Sequence, residues 1–262
     1  MNGVTRNRWD GLRAYTAARI APGRAGNGLP TESHLRFQLD HARARDAVQL
    51  PLDTDAVTAA LQRLGQQVLL VSSKAADRGS YLQRPDLGRQ LAGDDLERLA
   101  ALQLHTDIAV VVADGLSSRA VHEHAAPLLQ QLLPALSGQG FSLAPLVLVE
   151  QGRVAIGDEI GAALGARLSL LLIGERPGLS SPDSLGVYLT FDPRPGRVDA
   201  ERNCVSNIRP PHGLGYERAA DTCLYLIRSA LRRGISGVAL KDDSVTLEHG
   251  EGERRVTFFR DV

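Results

Sequence analysis

The sequence predicts an α/β fold: a Rossmann-like, mainly parallel sheet with helices on both faces, preceded by a smaller, mostly helical region. Three observations lead there. From about residue 107, apolar runs such as "DIAVVVA" and "RLSLLLIG" alternate with amphipathic stretches. Uninterrupted apolar strands are what a sheet covered on both faces requires. The first hundred residues lack this alternation and read mainly as helix. The chain therefore divides into an N-terminal helical region with partner-facing loops, residues 1–100, and a Rossmann-like domain, residues 101–262.

A first helical segment runs from Trp9 to Ile20 and ends in the Gly/Pro-rich "APGRAGNGLP". In "TESHLRFQLDHARARDAV", Leu35, Leu39 and Ala42 recur at helical spacing, with Thr31 placed as N-cap. "TDAVTAALQRLG" is a short helix capped by Thr54 and stopped at Gly65. The brief apolar "QVLLVSS" precedes a turn-rich stretch, "KAADRGSYLQRPDLGRQL". The strand "DIAVVVADGLSS" ends in Asp-Gly, and Ser117 is set to cap the next helix. In that helix Pro127 predicts a kink or a break. "FSLAPLVLVE" is another strand and "IGDEIGAALG" a short helix of small residues. "RLSLLLIG" and "GVYLTF" are strands on either side of a polar loop rich in Gly, Pro and Ser. The long helix "YERAADTCLYLIRSALRRG" places Tyr216, Ala220, Cys223, Ile227 and Leu231 on one face, and Arg232, Arg233 and Gly234 suit its C-terminus. The final "DSVTLEHGEGERRVTFFRDV" reads as an extra hairpin turning at "HGEGE".

Composition narrows the function. Thirty basic residues balance thirty acidic ones and aromatics are 4%, so neither a basic field nor a stacking platform for nucleic acid is present. No apolar run approaches the roughly 18 residues of a membrane span, and the N-terminus has no signal-peptide core. Cys204 and Cys223 lack metal-ligand spacing and suit a reducing compartment, which predicts a cytoplasmic location. Neither nucleotide fingerprint nor nucleophile elbow occurs. His122 and His124 stand two apart and read as a solvated helix face, not a metal site. No catalytic residue and no metal ligand is expected.

In doubly wound sheets, ligands bind beyond the carboxyl ends of the strands. Asp114 to Ser117 and Gly174 to Gly178 lie at such ends. In the second loop glycines permit close backbone approach, prolines limit the entropy lost on binding, and Glu175 and Arg176 offer an acceptor and a donor. Two readings stand side by side: a loop that holds a large polar ligand, and a plain surface turn.

Taken in order, "ARIAPGRAGNGLPTESHLRFQLDHARARDAV", "YLQRPDLGR", "VVADGLSS", "GRVAIGDEIG", "GERPGLSSPDSLGVYLTF", "DAERNCVSNIRPPHGLGYERAA" and "GVALKD" closely resemble the small (light) subunit of ethanolamine ammonia-lyase. The likeness spans about Leu12 to Asp242. It implies an adenosylcobalamin-dependent enzyme converting ethanolamine to acetaldehyde and ammonia. It also implies a large-subunit partner, a TIM-type barrel holding the substrate, in a hexamer of large–small pairs. The Rossmann-like domain would hold part of the cobalamin at the interface, with the cofactor keeping its own benzimidazole. No histidine here lies two residues after an aspartate, which agrees with that last expectation. Three cobalamin contacts carry over by motif: Val154, Glu175 and Cys204. By residue type alone, Val154 and Cys204 would be packing residues, whereas a carboxylate at a strand end needs a partner. "RPDLGRQL" and "RAGNGLP" read either as large-subunit contacts or as exposed connectors. Some family members carry a longer N-terminal extension tied to enclosure in a bacterial microcompartment; here almost no leader precedes the first helix. The competing reading is a stand-alone nucleotide-binding α/β protein using Asp114 and Ser117 at a helix N-terminus. A third is a partner that stabilises the large subunit without touching cofactor.

Overall fold

The computed structural model describes residues 3–242, so the hairpin expected over residues 243–262 lies outside the described residues. Near the N-terminus, β1 (Val4–Thr5) and β2 (Arg24–Ala25) form a small antiparallel ribbon. Between them the helix expected from Trp9 to Ile20 shrinks to one 3-10 stretch, Asp10–Ala14, none of it buried. Without a face to bury, so short a segment cannot offset the cost of helix nucleation. Helix α1 (Thr31–Gln49) buries only Ala47. Its N-cap position is Pro30, not Thr31, because the proline sets the entry angle and leaves Thr31 inside the first turn. Helix α2 (Thr54–Gln62) is capped one residue earlier than expected, by Asp53, whose side chain accepts from the Ala56 N–H at 2.9 Å.

The central sheet has six strands: β3 (Val68–Ser72), β4 (Thr106–Ala113), β5 (Leu146–Glu150), β6 (Ala166–Gly174), β7 (Leu185–Phe191) and β8 (Arg202–Ile208). Their spatial order is β3-β5-β4-β6-β7-β8. The first four run parallel, but β6 with β7 and β7 with β8 pair antiparallel. The sheet is therefore mixed: three of its five pairings are parallel, in keeping with a mainly parallel sheet, and the last two are antiparallel, which the sequence reading did not foresee. The cause is loop length. Residues 175–184 and 192–201 join β6 to β7 and β7 to β8 with no crossover helix, and a parallel return needs a dozen or more residues. Edge strand β3 comes from the first hundred residues, so the chain's two regions share one sheet.

Helices cover both faces, as expected. On one side α2, α5 (Ser118–Gly138) and α7 (Tyr216–Arg233) bury Leu128, Leu132, Cys223 and Ile227 against Val110, Leu170 and Val187. On the other, α4 (Gly93–Ala100) and α6 (Ile156–Ala163) pack Leu99, Ile156 and Ile160 against Val111, Val149 and Leu171. The break expected in α5 is absent: Pro127 and Pro134 both lie within one continuous helix. Its buried Leu128, Leu129, Leu132, Leu133 and Leu136 secure it against the sheet, and each proline costs only one backbone hydrogen bond plus local crowding. The remaining helix, α3 (Arg78–Gln83), lies within the stretch read as turns and is capped by Asp77. At the C-terminus of α7, Gly234 takes the left-handed conformation as the sequence suggested.

Coverage fades across one face. Leu171, Tyr188 and Cys204 form a row across β6, β7 and β8. Leu171 lies under α6, Tyr188 is half-buried, and Cys204 is exposed. On β8, Val205 is buried toward the α5/α7 side while Cys204 and Ser206 are exposed on the other. The α6 side of the sheet is thus uncovered at Cys204 and Ser206 of β8, whereas Thr190 and Arg202 farther along the same face are buried.

Candidate functional site

The chain leaves β4 toward one face, into α5, and leaves β5 toward the other, into α6. The point beyond the strand ends where those connections part is where ligands bind in doubly wound sheets. Asp114 stands there, buried, its Oδ1 accepting from the Gly115 N–H at 2.9 Å and the Gly152 N–H at 3.0 Å. Burial pushes its carboxyl up to about 6, against the pull of Arg78. Arg78 is itself committed, donating to the carbonyls of Val48 at 2.7 Å and Gly115 at 2.8 Å. Ser117 caps α5, and its hydroxyl donates to the Pro182 carbonyl at 2.8 Å. Both residues of the nucleotide-binding alternative are thus engaged in holding the rim together. A buried carboxylate is also a poor neighbour for phosphate.

The loop between β6 and β7 is braced throughout. Gly178 and Ser181 exchange backbone hydrogen bonds at 2.9 and 3.2 Å, and Asp183 pairs with Arg209 at 2.9 Å. Glu175 is the best-anchored side chain. Its Oε1 accepts from the Ser206 hydroxyl, and its Oε2 accepts from the Ser184 hydroxyl and the Asn207 N–H. The backbone N–H of Glu175 donates to the Ser184 carbonyl at 2.9 Å. A carboxylate has about four acceptor sites, so Oε1 retains one toward the uncovered stretch of β8. Gly186, next to it on β7, makes room for this arrangement: a Cβ there would stand 2.8 Å from Glu175 Oε1. Arg176 points away into exposure.

Cys204 shares this face. Its thiol is hydrogen-bonded to Tyr188, and burial of the sulfur by its surroundings, with the negative charge of Glu175, pushes it up to about 11. Tyr188 is pushed up as well, by burial first and then by Cys204 and Glu175. The structure thus brings Glu175 and Cys204 together. Val154 lies apart, on the turn between β5 and α6, half-buried against the same core as Leu171. It stands at the same rim and on the same side of the sheet. β5 and β8 are four strand positions apart, about 19 Å at the usual spacing, so these three residues bracket a wide arc and not a small-molecule pocket. Gly186, Tyr188 and Ser206 were missed from the sequence. The i, i+2 pair Cys204 and Ser206 was the available signal, once "RNCVSNI" is recognised as a strand with one dry face.

His122 and His124 do not form a solvated face. His124 is buried, with Nδ1 2.8 Å from the Tyr216 hydroxyl, and His122 Nε2 accepts from the Asp53 N–H at 2.9 Å. Helix α5 is flanked by α2 and α7, so residues two apart meet different helices. A separate open groove of about 1630 Å³ runs between the N-terminal segment, α1 and the tip of the 175–184 loop. Leu29 and Phe37, both exposed, line it, and Trp9, Leu12, Tyr15, Leu35 and Leu39 are exposed elsewhere in the N-terminal region. Among the described residues no helix is long and apolar enough to cross a membrane.

Comparison with known proteins matches residues 6–241 to the ethanolamine ammonia-lyase light chain family (EutC). The chain is 57% identical over 245 residues to an ethanolamine ammonia-lyase small subunit of Azotobacter vinelandii, covering 92% of this chain and 90% of that one. It is 58% identical over 243 residues to that of Ralstonia nicotianae, covering 91% and 90%. With that of Xanthomonas campestris pv. campestris the identity is 56% over 243 residues, covering 91% and 89%.

Proposed function

The chain belongs to the ethanolamine ammonia-lyase light chain family, and from that premise we propose that it holds one side of adenosylcobalamin against a large catalytic subunit. The reaction is the conversion of ethanolamine to acetaldehyde and ammonia. In this reading the large subunit is a TIM-type barrel that binds substrate, and large–small pairs assemble into a hexamer. Residues from 101 onward form the Rossmann-like, corrinoid-holding part, and residues 1–100 face the large subunit. The exposed apolar residues of the N-terminal region, Trp9, Leu12, Tyr15, Leu29, Leu35, Phe37 and Leu39, support that second assignment. Two unpaired cysteines suit a cytoplasmic location, or a bacterial microcompartment within it.

One observation carries the proposal: the uncovered stretch of β8 at Cys204 and Ser206, bounded by Glu175 and extended along the rim to Val154. Its donor and acceptor set suits the cofactor. A corrin is broad and flat, carries amide side chains around its edge, and needs no further metal ligand when it keeps its own base. The stretch accommodates the Glu175 side chain over Gly186, where a Cβ would stand 2.8 Å from Oε1. It presents an acceptor at Glu175 Oε1, and none of Val154, Glu175, Gly186, Tyr188, Cys204 or Ser206 is a histidine.

The cofactor, when bound, supplies the cobalt–carbon bond whose cleavage starts the chemistry. This chain's residues bind and orient. Glu175 accepts a hydrogen bond from a corrin amide in a position already fixed by Ser184, Ser206 and the Asn207 N–H. Tyr188 and Cys204 present a neutral, largely dehydrated surface, since both are held in their protonated forms. Val154 packs against the ring's far edge. No residue of this set moves a proton.

The test is co-expression with the large subunit, followed by measurement of adenosylcobalamin affinity and ammonia release. The expected result is a corrinoid-retaining, active complex in which Glu175→Gln weakens cofactor binding about ten-fold, the scale of one charge-assisted hydrogen bond. Subunits that purify apart, neither retaining cofactor, would overturn the reading. Unchanged affinity in Glu175→Gln would favour a merely stabilising partner instead.

A further inference from the structure

On the α5/α7 side of the same rim, three side chains turn toward one point. Glu123 and His124 come from α5, and Asp183 from the 175–184 loop. One potential ligand atom from each lies within 4.8 Å of the others. His124 Nε2 is 3.8 Å from Asp183 Oδ2 and 3.9 Å from Glu123 Oε2. At those distances neither is a hydrogen bond. Yet His124 Nε2 is fully enclosed and has no hydrogen-bond partner, on a side chain only 6% exposed. An enclosed imidazole nitrogen facing two carboxylate oxygens without bonding to either calls for a missing occupant.

We propose that Glu123, His124 and Asp183 form a transition-metal site, most suited to Zn²⁺, that clamps the 175–184 loop to α5. This reading does not depend on cobalamin binding.

The surroundings have the features of a metal site's outer shell. His124 Nδ1 is 2.8 Å from the Tyr216 hydroxyl, whose oxygen can accept from Nδ1–H, the tautomer that leaves the Nε2 lone pair free for a metal. Each carboxylate has one oxygen already held: Glu123 Oε1 by Arg119 at 2.7 Å and Asp183 Oδ1 by Arg209 at 2.9 Å. The remaining oxygens are the ones that face the imidazole. Three protein ligands and one water make a familiar four-coordinate zinc arrangement. With bonds of about 2.1 Å, the edges of such a tetrahedron are about 3.4 Å. Closing the two histidine edges thus requires movements of about half an ångström. Glu123, exposed on its helix, can supply the first, and a small shift of the Asp183 carboxylate the second. The imidazole selects against Mg²⁺ and Ca²⁺, which favour all-oxygen shells. The two guanidiniums temper the attraction for any cation, so micromolar affinity is expected.

The experiment uses the full chain, free of any histidine tag, titrated with Zn²⁺ by calorimetry and with Co²⁺ by visible absorption. The expected result is one Zn²⁺ per chain, displacing Co²⁺ that shows the intensified bands of a four-coordinate site, with no competition from excess Mg²⁺. Glu123→Gln, on the surface, should fold normally and bind at least ten-fold more weakly, and His124→Gln should abolish the Co²⁺ bands. If Glu123→Gln binds Zn²⁺ as tightly as the unaltered chain, the ion sits on surface histidines and the proposal falls. It falls equally if the unaltered chain binds none.

Discussion

Cys204 is exposed on β8, yet its thiol is held well above the ordinary range. The surrounding protein desolvates the sulfur and Glu175 adds a repulsive charge, while the hydrogen bond from Tyr188 pulls the other way and loses. Only the thiolate is an effective nucleophile. At pH 8, therefore, alkylation of Cys204 in the isolated chain should run about a hundred-fold slower than that of free cysteine. Its rate should climb toward a midpoint near 11, and Glu175→Gln should shift that midpoint down. A midpoint near 9 in the unaltered chain would contradict the account. The sign for stability follows: the folded thiol keeps its proton to a higher pH than the unfolded one. Its contribution is therefore complete below about pH 9 and is lost as the pH rises through about 11. None of this was visible from residue type. A lone cysteine reads as a buried apolar residue, and its exposure became apparent only with its strand. His124 is the converse case, read as a surface residue because nothing in its neighbourhood of the sequence announces Tyr216 of α7.

At the scale of elements, legibility followed burial. β4, β5 and β6 were plain because residues buried on both faces leave long apolar runs. β8 was missed because Asn203, Cys204, Ser206 and Asn207 leave only Val205 and Ile208 as apolar marks, with Cys204 and Ser206 on its exposed face. The stretch that matters most to the proposed function was thus hidden by the property that makes it useful. The same strand begins with Arg202, which reaches across to α6 and pairs with Asp158, both side chains 3% exposed. It also bonds Asp199 at 2.8 Å. Burial pushes the Asp158 carboxyl up, and Arg202 opposes that shift. Removing one partner strands a buried charge. Arg202→Met should cost about 3–5 kcal/mol in urea unfolding, and adding Asp158→Asn should recover part of the loss. A double variant no more stable than Arg202→Met alone would show that the pair is not the source.

For the whole molecule, the α/β class and the helices on both faces were legible from alternating patterns. The reversal of direction at β7 was not read, although the short 175–184 connection contained it. The N-terminal forty residues remain thinly packed on the rest, with Trp9 55% and Tyr15 87% exposed. If they face the large subunit, hydrogen exchange should show it. Amides of residues 3–40 should gain protection of at least ten-fold on complex formation, whereas those of β4 to β6, already buried, should not change. Protection confined to other surfaces would relocate the interface.

The tethers on Glu175 come from Ser184, at the entry to β7, and from Ser206 and Asn207 on β8, the last strand in chain order among the described residues. A folding chain that has docked β3 to β6 but not yet zipped its final strand is compact and still lacks a fixed acceptor at the rim. Competence to grip a vitamin would then arrive late and all at once, as a by-product of closing the sheet's outer edge.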